Sequence, residues 1–342
     1  MNKVLKHTIH NFYLQSGIVM PEVTIAYRTL GKMAPNGRNN TILVTHGYTS
    51  GPQMIEPGND SAAGFEGGWS QLVGPGKPID TDRFFVICPN MLGSSYGSTN
   101  AASINPETGR PYGSDFPRIT VKDIVASQYC LLKDLVVEHL VAVVGPSYGG
   151  YQAFQWAVSF PDYMSGIVPV VTAPKVDGTR TRAIISRLEQ DTDWNNGDYY
   201  DCGRLKDTLA KIRVETLERY GLEEWLKQKI AEHEERQKEI YRMAAAWAEE
   251  FDANSLVILS RALENFNTEP YFNRIKAKVL YVLSKTDKLF PPSLGSEVME
   301  KLEEAGVDAG YFEINSEYGH LASGLDADKW AERLRLFINS LP

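Results

Sequence analysis

One serine in this chain sits in a setting that can turn a hydroxyl into a nucleophile. Gly145-Pro146-Ser147-Tyr148-Gly149 has the G-x-S-x-G spacing of a sharp turn between a strand and a helix. Small residues on both sides let the turn close, and Ser147 Oγ is lifted clear of the sheet at the positive end of the next helix. A serine at neutral pH needs a base, and that base needs an orienting carboxylate. With this motif the chain order is serine, acid, histidine. Six histidines are available. His7 and His10 lie in an N-terminal hairpin, His46 and His139 precede the serine, and His233 stands in a charged run, 232–236. His320, just after the last strand, remains as the base. Asp287 is the only carboxylate in the loop after the penultimate strand, 284–292, and is the expected acid, with Asp308 and Asp326 as weaker alternatives. Two backbone N–H groups must receive the tetrahedral oxyanion: that of Tyr148 and, from the loop His46-Gly47-Tyr48-Thr49, that of Tyr48.

These groups need a scaffold that carries loops to one edge. Residues 7–14 and 23–30 read as an antiparallel hairpin around Gly17. The apolar runs 41–45, 84–88, 140–144, 166–171 and 278–283 read as buried strands, Pro169 weakening the fourth. A last strand is expected at 311–314. Thr120 reads as an N-cap, with Asp123 in the first turn of a helix through about Val137. Further helices are expected after the elbow, at 293–305 and at 326–338. Alternating strands and helices predict a mostly parallel α/β sheet flanked by helices. Between 175 and 273 strand signals vanish, and charged helical stretches appear at 207–220, 222–250 and 254–266. That segment is expected to be a helical insertion after the sixth strand, with 1–174 and 274–342 forming the catalytic domain.

Composition narrows the classes of partner. The 342 residues are 43% hydrophobic and 23% charged, with a net charge of -8, which gives no electrostatic reason to expect nucleic acid or an anionic membrane. Three cysteines, Cys88, Cys130 and Cys202, have no ligand-like spacing and suggest a reducing compartment. Neither a signal peptide nor a membrane span is read, so the expected location is the cytoplasm. His233-Glu234 fails as a zinc motif because Gln237 stands where the second histidine belongs, and 74–78 fails as a phosphate loop at Pro78. No metal is expected.

Longer runs carry a more specific signal. Residues 72–88, Gly97-Ser98-Thr99, Ser103-Ile104-Asn105-Pro106, Asp115-Phe116-Pro117, 251–255 and Arg261-Ala262-Leu263 resemble the homoserine O-acetyltransferase (homoserine transacetylase) branch of the α/β-hydrolase superfamily. The resemblance implies an α/β-hydrolase domain with a helical lid, an acyl-enzyme on the serine, and a homodimer formed through lid helices. It carries onto Ser147, Asp287 and His320. The family's elbow usually reads G-G-S-M-G-G, whereas Pro146 and Tyr148 flank this serine. Tyr48 replaces the smaller residue of an H-x-L-T-G loop. The family's catalytic histidine is usually followed by an Asp expected to meet the amino group of homoserine; here that position is Leu321. Basic lid residues for the substrate carboxylate find candidates in Lys211 or Arg213.

From these departures together we expect the acyl-enzyme chemistry to be kept and the amino-acid acceptor lost. The expected activity is thus a serine esterase that cleaves a small acyl ester without a cofactor. The alternative is a homoserine O-acetyltransferase or related O-acyltransferase, with acetyl-CoA as acyl donor.

Overall fold

The computed structural model describes residues 4–35, 40–56, 68–178, 180–201 and 205–342; Cys202 lies outside them. The chain runs β1 (Leu5–Tyr13), β2 (Val19–Leu30), β3 (Thr41–Val44), a two-residue pair β4 (Val73–Gly74) and β5 (Ile79–Asp80), then β6 (Phe85–Pro89). Helix α1 (Val121–Asp134), β7 (Leu140–Pro146), α2 (Tyr148–Ser159) and β8 (Met164–Val170) follow. Five helices come next: α3 (Thr181–Leu188), α4 (Lys206–Tyr220), α5 (Leu222–Lys227), α6 (His233–Ala248) and α7 (Ala253–Ala262). The chain closes with β9 (Lys278–Ser284), α8 (Leu294–Glu304), β10 (Ala309–Ile314), the short α9 (Ala322–Leu325) and α10 (Asp328–Asn339).

Eight strands form one sheet in the order β1-β2-β6-β3-β7-β8-β9-β10. β1 and β2 pair antiparallel, β2 meets β6 antiparallel, and every later pairing is parallel. Alternation explains why the central strands read as unbroken apolar runs. In β7, Val143 faces a cluster shared with Phe154, Trp156 and Leu132, while Val144 faces the opposite cluster with Trp330 and Leu334. Pro169 sits inside β8 without a strand break, at a point where no pairing with β9 forms: the β8–β9 partners are Ile167–Val279 and then Val170–Val282. Its missing N–H therefore breaks no bond there.

Helix α1 begins as its sequence requires. Asp123 N donates to Thr120 Oγ1 at 3.3 Å and Thr120 N donates to Asp123 Oδ2 at 2.7 Å, a reciprocal capping box. Asp123 Oδ1 also accepts from Gln15 N at 2.7 Å, tying the helix to the hairpin turn.

The segment expected as one helical stretch over 222–250 is two helices, α5 and α6. The chain between them turns back, so that Ile230 packs on a core built from Leu217, Tyr220, Leu226 and Ile240. Arg236 Nη1 donates to the Ile230 carbonyl at 3.1 Å and holds that turn. Helix α3 was not among the expected stretches. Among the described residues no helix is long and apolar enough to cross a membrane.

Candidate active site

The elbow forms where β7 runs into α2. Ser147 has φ 54° and ψ -118°, a positive-φ conformation that non-glycine residues rarely adopt and that costs about 1–3 kcal/mol. Bonds on both sides hold it there: Ser147 N donates to the Val170 carbonyl at 2.8 Å, and the Ser147 carbonyl accepts from Thr172 Oγ1 at 2.8 Å. The flanking glycines are required by contact. A Cβ on Gly149 would lie 2.2 Å from the Thr45 carbonyl oxygen, and one on Gly145 2.5 Å from the same atom. No side chain fits where the elbow closes on the end of β3.

The loop after β3 is drawn against the elbow. Thr45 Oγ1 donates to the Gly149 carbonyl at 2.8 Å, and a Cβ on Gly47 would stand 4.0 Å from Ser147 Cβ. Gln152 Nε2, one turn into α2, donates to the His46 carbonyl at 3.1 Å. Among the described residues neither the Tyr48 nor the Tyr148 amide has a protein acceptor. The His46 ring is fully buried, with Nε2 2.9 Å from Asn90 Oδ1 and Nδ1 2.9 Å from the Gly47 carbonyl. Two acceptors favour a second proton, but desolvation outweighs them and drops the imidazole to about 4. At neutral pH it carries one proton.

Asp287 leaves the end of β9 and His320 the end of β10, so both reach the carboxyl edge of the sheet that presents Ser147. His320 Nδ1 is 2.8 Å from Asp287 Oδ2, with both side chains buried. Asp287 Oδ1 accepts from the amides of Leu289 at 2.8 Å and Phe290 at 3.2 Å, which fixes the carboxylate plane. Thr286 Oγ1 links the two loops, donating to the Ser316 carbonyl at 2.9 Å and accepting from Gly319 N at 3.1 Å. The sequence gives a lone threonine no such signal. The two alternative acids lie elsewhere: Asp326 pairs with Ser316 and Lys329, and Asp308 with Lys278. The His320 ring packs between Tyr220 at 4.7 Å and Phe290 at 5.5 Å. Those two side chains line a cavity of about 960 Å³ into which Ser147, Tyr48 and Tyr148 also open.

The pattern of the alpha/beta hydrolase fold family matches residues 40–326. A homoserine O-acetyltransferase from Deferribacter desulfuricans is 33% identical over 361 residues, 97% of this chain and 93% of the relative. The chain belongs to the homoserine O-acetyltransferase family, on the α/β-hydrolase fold. Among solved structures, homoserine O-acetyltransferase from Bacillus anthracis superposes with a TM-score of 0.87 at 27% identity, covering 99% of this chain and 98% of that one. Esterase E22 gives 0.87 at 28% identity, covering 99% and 100%.

Membership of this family corrects the expectation of a serine esterase. That expectation rests on Leu321 with the departures at Pro146, Tyr148 and Tyr48, and curated homoserine O-acetyltransferases aligned over nearly the whole chain overturn it. The fold supplies the physical reason. Leu321 is 4% exposed, packed among Leu217, Tyr220, Leu222, Ile240 and Met243, and is not among the residues lining the cavity. Its apolar character serves that core.

The two lysine and arginine candidates also separate. Lys211 is exposed and stands outside the cavity lining, whereas Arg213 is 1% exposed and lines it. Arg213 lies over the Trp247 ring at 5.1 Å, and its Nη1 donates to Thr49 Oγ1 at 3.0 Å. Arg180, Arg187 and Arg219 also line the cavity and were not anticipated. Partial desolvation and the nearby Arg180 charge hold the Arg219 guanidinium below its usual range. A signal existed: Ile212, Arg213, Thr216, Arg219 and Tyr220 recur at helical spacing and share the cavity face of α4.

Proposed function

We propose that the protein is a homoserine O-acetyltransferase that works through an acetyl-Ser147 intermediate. The observation that carries this reading is the near full-length similarity to homoserine O-acetyltransferases, joined to a buried His320–Asp287 pair whose ring neighbours Tyr220 and Phe290 line the same cavity as the elbow serine. His320 Nε2 takes the proton of Ser147 Oγ as it attacks the thioester carbonyl of acetyl-CoA. The Nδ1–H donates to Asp287 Oδ2, which steadies the imidazolium that forms. The Tyr48 and Tyr148 amides receive the oxyanion. Collapse expels the thiol, which leaves with the proton from His320. The hydroxyl of homoserine then gives its proton to His320 and attacks the acyl-enzyme; collapse of the second tetrahedral intermediate returns that proton to Ser147.

Transfer requires that the alcohol reach the acyl-enzyme before water does. Helices α3 to α7 act as a lid, and apolar side chains such as Val176, Ile184, Leu256 and Leu289 line the space beneath them. Arg213, which lines this cavity, is the residue we assign to the acceptor carboxylate. The test is acyl release from acetyl-CoA with and without homoserine, run beside Ser147→Ala. Turnover that depends on homoserine and falls on the order of 10⁴-fold or more in Ser147→Ala is the expected result. Acetyl release indifferent to homoserine would sink the reading.

A further inference from the structure

The two residues whose amides are proposed to receive the oxyanion are both tyrosines, and both side chains reach the same helix, α7. Their rings stack with centroids 5.9 Å apart and planes 10° from parallel. The Tyr48 hydroxyl donates to the Leu256 carbonyl, and the Tyr148 hydroxyl donates to the Leu259 carbonyl at 3.1 Å. Both acceptors belong to α7, and Leu259 lies in its last turn, where carbonyls have no partner within the helix. Burial pushes both phenols up, so each stays a neutral donor.

The residue after Tyr48 is held from the same side. Trp247 Nε1, on α6, donates to the Thr49 carbonyl at 3.0 Å, and Arg213 Nη1, on α4, donates to Thr49 Oγ1 at 3.0 Å. The short loop that carries one oxyanion donor is thus fastened to three helices of the insertion.

We propose that the Tyr48 and Tyr148 hydroxyls are positioning groups for acyl transfer. Anchored on α7, they set the two backbone N–H groups at the spacing and direction an oxyanion requires. The proposal rests on the acyl-enzyme reading above and adds that the lid helps to build the oxyanion site. Geometry of this kind acts on the transition state, because the donors are used fully only when the carbonyl oxygen becomes an anion. Phe at either position keeps the ring stack and removes only the anchor.

The experiment uses Tyr48→Phe and Tyr148→Phe, with three readouts. These are steady-state kcat and KM for acetyl transfer, the p-nitrophenol burst from p-nitrophenyl acetate, and inhibition by an aryl trifluoromethyl ketone. Ser147 adds to that ketone to form a tetrahedral oxyanion. Each variant is expected to slow the burst and lower kcat about tenfold, weaken the ketone by the same factor, and leave KM within about twofold. Burst rate and ketone affinity at wild-type levels overturn the proposal, even with a lowered melting temperature, since the hydroxyls would then serve only the fold. If Tyr148→Phe does not fold, Tyr48→Phe and Trp247→Phe report the same coupling. Neither the burst nor the ketone involves homoserine or CoA. A protein with a normal burst but no homoserine-dependent turnover therefore fails the transferase reading alone. A wild-type protein with no burst and no ketone binding overturns the acyl-enzyme reading and this proposal together.

Discussion

His46 shows how a residue outside the proton relay can set the acid limit of this protein. An exposed imidazole in the unfolded chain binds its proton near 6.5, and the buried native ring only at about 4. Between those values the unfolded chain holds more protons, so the stability gained from a neutral buried ring is fully present above 6.5 and is lost as the pH falls toward 4. A gap of that size corresponds to about 3 kcal/mol. Thermal melts across this window should show wild-type stability falling with pH, and His46→Gln, which cannot titrate there, should flatten the slope. An unchanged slope would mean that other groups govern acid unfolding. Leu321 makes a second point at this scale. In sequence its identity reads as a statement about substrate, yet its neighbours are core side chains of α4, α5 and α6. The type of one residue beside a catalytic position says little until its direction is known.

The strand–elbow–helix unit was legible because every constraint on it is local. β-branched residues of β7 exclude water on both faces, and the glycines stand where a Cβ would strike the end of β3. Gly149→Ala places a methyl 2.2 Å from the Thr45 carbonyl, a backbone atom that cannot swing aside. The substitution should cost about 3 kcal/mol or more in urea unfolding and lower kcat by displacing the 46–49 loop. Gly17→Ala is the control: its Cβ meets nothing within 4 Å, so only φ 86° resists it, at about 1 kcal/mol. Equal costs at the two positions would refute the packing account of the elbow. The lid helices were less legible. Their charged faces show helix readily, but the break between α5 and α6 lets Ile230 pack on a core that α4, α5 and α6 build together.

At the scale of the whole molecule, the inserted helices have cores of their own but are joined to the sheet by apolar packing, with Ile258, Leu259 and Ala262 of α7 in the sheet's core, and by polar ties. One such tie gathers at Asp252, the N-cap of α7. Its carboxylate accepts from the Tyr199 hydroxyl at 2.7 Å and the Tyr200 hydroxyl at 3.2 Å, and its own amide donates to Ser95 Oγ at 2.9 Å, below the sheet's carboxyl edge loops. Burial raises the carboxyl above its usual range, so these donors hold a charge the interior disfavours. Asp252→Ala removes the cap and the acceptor of two tyrosine hydroxyls, an expected loss of about 3 kcal/mol. Because α7 also anchors Tyr48 and Tyr148, limited proteolysis should open the 180–273 region of this variant first, with acyl transfer declining in parallel. Cleavage no faster than wild type would show that the tie is dispensable.

The sequence by itself determined the strand–turn–helix elbow and the order in which a serine, a carboxylate and a histidine follow the strands along the chain. A nucleophile elbow, a lone carboxylate after the penultimate strand and a histidine after the last one are each written in a few adjacent residues, because strand periodicity and turn sterics are short-range. Only the tertiary structure decided what surrounds them. Tyr48 meets a carbonyl 208 positions away, Arg213 rather than Lys211 faces the cavity, and Leu321 turns into the lid core. Those outcomes depend on how helices pack across the chain, and the rotation of a helix on its neighbour is fixed by side chains far away in sequence.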